Sequence, residues 1–130
     1  CCDCGNQADI FGLFKELHCG LGIGNDPHPS GAGQMTQIAY LLLCHKDPEE
    51  IIAQAARLTA VGDCVAIHFD GRASLADYTR IRSALSGNPA VTFARRRVKC
   101  GWGEWSLVAA TLSVVRAAIE AFPGATHFYL

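Results

Sequence analysis

The run Ile38–Cys44 is apolar without interruption over the length of a strand, and from Asp47 onward the apolar residues recur at helical spacing. A strand with no polar alternation suits burial on both faces, as at the centre of a parallel sheet covered by helices. Asp47 can cap the helix, Pro48 fits its first position, and Glu49 and Glu50 complement the positive end of its dipole. Ile51, Ile52, Ala55 and Leu58 form its apolar face, and Gly62 can end it. The same change of period then repeats. Cys64–Phe69 reads as a second strand, and Ser74 with Asp77 three residues on opens a helix that runs through Leu75, Tyr78, Ile81, Arg82 and Leu85 to Gly87. Val91–Ala94 is a short third strand. Glu104–Phe122 is helical with apolar residues nearly all round, which predicts the buried helix of the domain. Pro123-Gly124 closes it, and Thr126–Leu130 begins a fourth strand.

This alternation predicts an α/β fold: a Rossmann-like open parallel sheet with flanking helices, joined by right-handed crossovers. Ligands of such sheets sit at the carboxyl ends of the strands. Cys44-His45-Lys46, Phe69-Asp70-Gly71-Arg72 and the Arg95–Gly103 segment therefore share one rim.

The chain has 130 residues, enough for one domain, and half of them are hydrophobic, so a packed core is expected. A net charge of -1 gives no field that would draw the protein to nucleic acid or anionic membrane. No segment approaches the roughly 20 apolar residues of a membrane span, and no signal peptide is seen. Seven of the 13 glycines fall in residues 1–34, and the only methionine, Met35, stands just before the first strand. We expect residues 1–34 to be a flexible leader outside the native domain (a linker, a processed remnant or translated upstream sequence) and residues 35–130 to form the domain. The leader holds Cys1, Cys2, Cys4, His18, Cys19 and His28, whose spacing matches no standard zinc ligand arrangement. Its GLGIG run lacks the preceding strand and following apolar helix of a dinucleotide fingerprint. Cys44, Cys64 and Cys100 are odd in number and two of them, Cys44 and Cys64, sit in apolar strand-like runs, which reads as buried thiols in a reducing compartment rather than a disulfide framework.

Three blocks carry a more specific signal: QIAYLLLCHKDPEE, AIHFDGR and RRVKCGWGEWSLVAATLSVVRAAIEAF. Their order and spacing resemble the core-2/I-branching β-1,6-N-acetylglucosaminyltransferase and peptide O-xylosyltransferase family. The resemblance covers residues 37–130 and implies the N-terminal, donor-binding half of a GT-A type glycosyltransferase domain, truncated at Leu130. It implies inverting, metal-independent transfer of N-acetylglucosamine or xylose from a UDP-sugar to a hydroxyl of a glycan or protein acceptor. No cofactor is expected beyond the UDP-sugar donor. The family's catalytic base lies in its second half, so no catalytic residue is carried over, and this chain alone is expected to transfer no sugar.

The candidate donor-binding residues are His45, Asp70, Arg72, Arg95, Trp102 and Gly103. Asp70 ends IHFDGR, where the family has a histidine-hydrophobic-aspartate ending; a carboxylate there can accept from a uracil N–H or a ribose hydroxyl. A helix cap or a solvated turn is its other reading. Arg72 stands where many sugar-nucleotide transferases carry a second, metal-binding carboxylate, and its guanidinium can neutralise diphosphate charge instead. Trp102 and Gly103 belong to WGEWSLV, which resembles the family's W-G-x-x-S-L-V segment; an indole offers a flat face and one donor to a sugar or base. Trp105 is expected to be a core anchor. His45, with Lys46, follows the first strand and either lines the uridine pocket or is structural. His68 is expected to bond to a neighbouring loop. In Arg95-Arg96-Arg97, only Arg95 is given a part at the donor, the others reading as a solvated face.

The absence of an anchor and of a disulfide framework looks more like the bacterial members of the family, which implies a cytoplasmic location, at the inner membrane surface or free; a eukaryotic member would lie in the Golgi lumen. The competing readings are a non-catalytic nucleotide-binding α/β module and a fragment that only mediates assembly.

Overall fold

A computed structural model of the chain describes residues 36–130. The expectations for the leader, its cysteine and histidine set and its GLGIG run lie outside the described residues. Four strands, β1 (Ile38–Cys44), β2 (Cys64–Phe69), β3 (Val91–Phe93) and β4 (His127–Tyr129), alternate with three helices, α1 (Pro48–Ala60), α2 (Leu75–Leu85) and α3 (Trp105–Ala121). The strands form one all-parallel sheet in the order β3-β2-β1-β4. The chain steps from β1 outward to β3, then returns through α3 to add β4 on the other side of β1. This is the Rossmann-like open sheet that the alternating pattern predicts.

Successive side chains of a strand point to opposite faces, so the core divides into two layers. On one face Leu42, Cys44, Val65, Ile67 and Phe69 pack with Ile51, Ala55 and Leu58 of α1 and Ile81 and Leu85 of α2. On the other, Ala39, Leu41, Cys64 and Ala66 pack with Val114, Ala118 and Phe122. The second layer is thin because so many of its members are alanines, which lets α3 lie close to the sheet. β2 is buried at every position, as a strand covered on both faces should be.

Of the three helices, only α2 starts with a side-chain cap. Ser74 accepts from the Asp77 N–H at 3.2 Å and caps α2. Asp47 precedes Pro48 at the start of α1 but gives no side-chain cap. Its backbone is left-handed, at φ 57° and ψ 62°, whereas a capping side chain reaches the helix N–H groups from an extended backbone. Its carbonyl still accepts from the Ile51 N–H.

α3 is not the buried helix that its composition predicts. Ala110, Val114, Ala117 and Ala118 are buried, but Trp105 is 74% exposed, Leu112 56% and Ile119 55%. One sheet face can cover only one stripe of a helix. Trp105, Val108, Leu112 and Ile119 lie on a common face at helical spacing and form a second stripe turned away from the sheet. Trp105 is therefore a surface residue, not the core anchor expected. Among the described residues, no helix is long and apolar enough to cross a membrane.

Candidate functional site

With β2 on one side of β1 and β4 on the other, the strand order reverses at β1, and the loops after β1, β2 and β3 share the carboxyl-end rim where such sheets bind ligands. Asp70 is the pivot of this rim. Its N–H donates to the Cys44 carbonyl at 2.8 Å, which ties the end of β2 to the end of β1 just before His45. Its Oδ1 accepts from the Arg72 N–H at 2.7 Å and from the Cys100 N–H at 3.2 Å. The first bond closes the turn after β2; the second brings the loop after β3 onto it. No donor among the described residues reaches Oδ2.

That loop is held down along its length. The Gly71 N–H donates to the Val98 carbonyl at 2.9 Å, and the Val98 N–H donates to His68 Nε2 at 3.0 Å. A Cβ at position 71 would meet the Arg97 carbonyl oxygen at 2.7 Å, so only glycine allows this approach. Burial, above all, pushes His68 below the usual histidine range; Arg97 acts in the same direction, and Asp70 opposes it. The sequence expectation for His68, a strand residue bonded to a neighbouring loop, describes its position.

Arg97 is the residue that the sequence reading missed. It is half-buried rather than part of a solvated face. Nη2 donates to the carbonyls of Asp70 and Ala73, both at 2.7 Å, and Nε donates to Phe69 at 3.4 Å. The guanidinium also lies 4.7 Å from the centre of the Tyr78 ring. Carbonyls at the end of β2 and in the turn after it keep acceptor capacity, and a planar group with several N–H bonds serves three at once. Nothing in three consecutive arginines marks the third as the one turned inward.

Arg95, the arginine assigned to the donor from sequence, instead reaches Glu120 of α3 at 2.9 Å and is exposed. Arg72 joins the rim through its backbone; its side chain is exposed and makes no bond among the described residues. His45 is half-buried and Lys46 exposed, directly after β1. Trp102 is 82% exposed, two residues beyond Cys100, and Gly103 has a left-handed φ of 67°. The turn between them is braced, with the Gly101 N–H donating to Ser106 Oγ at 2.9 Å and Ser106 Oγ donating to Glu104 at 3.2 Å. The structure thus gathers His68, Asp70, Gly71, Arg97, Val98 and Cys100, with the Arg72 backbone in the same turn. It sets Arg95 toward α3.

Cys44 and Cys64 are buried thiols, and Cys100 is half-buried; all three are free. Burial pushes Cys44 up to about 12, which removes it as a nucleophile at neutral pH.

The turn after β1 sets a limit on what the rim can bind. In dinucleotide folds the pyrophosphate rests on a glycine-rich turn and the free N–H groups of the first helix. Here the turn is His45-Lys46-Asp47 without glycine, Pro48 offers no N–H, and Glu49 and Glu50 occupy the first turn of α1. With Pro48 and these carboxylates, of which Glu49 pairs with Arg80, the start of α1 offers no cradle for a diphosphate, which must lie elsewhere on the rim. The open acceptor at Asp70 and the exposed indole suit the nucleoside and sugar portions of a ligand. No family model and no curated protein matches the chain.

Proposed function

We propose that residues 35–130 are the nucleotide-sugar-binding part of a UDP-sugar-dependent glycosyltransferase of the GT-A type, similar to the core-2/I-branching and peptide O-xylosyltransferase family. The observation that carries this reading is the division of labour within Asp70. Oδ1 is engaged by two backbone N–H groups that fix the carboxylate, and Oδ2 is left to accept from a ligand. A fixed acceptor at the end of the strand beside β1 suits a ribose hydroxyl or the uracil N–H. Arg72, whose side chain makes no hydrogen bond or ion pair among the described residues, supplies positive charge toward the diphosphate, and Trp102 supplies a flat apolar face to the sugar or base. The reaction is metal-independent, inverting transfer of N-acetylglucosamine or xylose to a hydroxyl of a glycan or protein, on the cytoplasmic side of a bacterial membrane. We assign no catalytic base among the described residues.

Calorimetric titration with UDP, ADP and UDP-N-acetylglucosamine, with and without chelator, tests the proposal. UDP should bind more tightly than ADP and equally well in both conditions. Equal affinity for ADP, or binding that requires manganese, would overturn it.

A further inference from the structure

His68 is the single buried polar side chain among the described residues, at 1% exposure. It shares a strand face with Cys64 and Ala66, under α3, and its Nε2 accepts from the Val98 N–H at 3.0 Å. A backbone N–H only donates, so this bond exists only while Nε2 carries no proton. The ring proton then sits on Nδ1.

We propose that His68 is a positioning residue whose neutral imidazole is the condition for an ordered rim: Nε2 holds Val98, and with it the loop through Cys100 to Trp102, onto Asp70, and a proton on Nε2 releases that loop. Protonation sets one N–H against another in a dry site, and the Val98 N–H loses its only partner there. The release spreads toward Trp102 because the same segment carries further bonds of the rim, from Cys100 to Asp70 Oδ1 and from Gly71 to the Val98 carbonyl, while Arg97 keeps its own bonds to Phe69, Asp70 and Ala73. The charges that act on the ring are Asp70, from the end of its own strand, which favours the proton, and Arg97, from the loop, which disfavours it. On β1 its neighbour in register is Leu43, which is uncharged, and no charged group of α3 acts on it. Burial outweighs Asp70, so the folded chain holds the imidazole below its ordinary value of 6.5. The contribution of the neutral ring is therefore complete above 6.5 and is lost as the pH falls through the lowered value.

The inference concerns loop order; only its ligand arm rests on the UDP-sugar reading. In the full chain, NMR titration of the His68 ring and amide exchange at Val98 and Cys100 would be followed from about pH 8 to about pH 5. After correction for intrinsic exchange rates, the opening constant of the loop should rise about tenfold per pH unit below 6.5, in step with the ring. His68→Gln places a non-titrating amide oxygen near the position of Nε2, so its loop should stay protected across the range. His68→Leu should exchange rapidly at every pH; if it does not fold, the wild type and the Gln variant carry the test. Continued protection of Val98 while His68 takes up its proton overturns the proposal, as does the same pH dependence in His68→Gln. UDP affinity of the wild type should fall in the same window and that of His68→Gln should not. A loop that opens with His68 in a chain that binds no UDP at any pH supports the latch and removes the donor reading.

Discussion

The two oxygens of Asp70 can be separated by substitution, because only Oδ1 is spoken for by the Arg72 and Cys100 N–H groups. Asp70→Asn keeps an acceptor at Oδ1 and turns the other position into a donor. It should leave the thermal midpoint nearly unchanged while weakening UDP binding about ten- to hundredfold, the loss of a charge-assisted bond worth about 1.5–3 kcal/mol. Asp70→Ala should weaken binding as much and lower the midpoint as well. Thermal melts paired with calorimetry distinguish them, and unchanged UDP affinity in the Asn variant would remove Asp70 from the site. At this scale the sequence was legible where position defines the task. Asp70 closes an apolar strand, and His68 interrupts one, so each announces a polar duty at a buried edge. Arg97 carries no such mark, since its role depends on which turn carbonyls lie beneath it after folding. Trp105 was misread because bulk and apolarity alone do not tell a core anchor from a surface residue.

Among the elements, the strands and helices were readable to within about a residue or two at each end, the usual uncertainty of such boundaries. Their periods and breakers agree with one another. The burial of α3 was not readable. A helix that is apolar on several faces leaves open which stripe the sheet will take, and the alanines Ala110, Ala117 and Ala118 won because they permit closer approach than leucine or tryptophan. The two stripes should respond differently to substitution. Leu112→Gln, on the outer stripe, should change unfolding free energy by no more than about 0.5 kcal/mol and reduce self-association. Val114→Ala, on the inner one at 0% exposure, should cost about 1–3 kcal/mol. Urea unfolding and sedimentation of the two variants check this, and a large loss of stability in Leu112→Gln would mean that the outer stripe is covered in solution.

For the whole molecule, the strand order is shared with dinucleotide-binding sheets, but the turn after β1 departs from them. The chain should therefore show no measurable affinity for NAD or NADH by calorimetry or fluorescence under conditions in which UDP binds. Saturable NADH binding would mean that Pro48, Glu49 and Glu50 do not keep a pyrophosphate from the start of α1, where that of a dinucleotide would rest and that of UDP would not. The alternation of periods foretold an open parallel sheet; the side of β1 on which β4 would add was not legible, because that depends on the face that α3 covers. The bonds that frame the rim have a kinetic counterpart. They join positions 24 to 30 residues apart in the chain: Arg97 to Ala73, Val98 to His68, Cys100 to Asp70. None can form until β2, α2 and β3 have been laid down in turn, and each closes a long loop at an entropic cost that earlier contacts must already offset. The rim therefore cannot precede the docking of β3, and a chain that has collapsed into helices and strands still has no ligand site until that strand is in place.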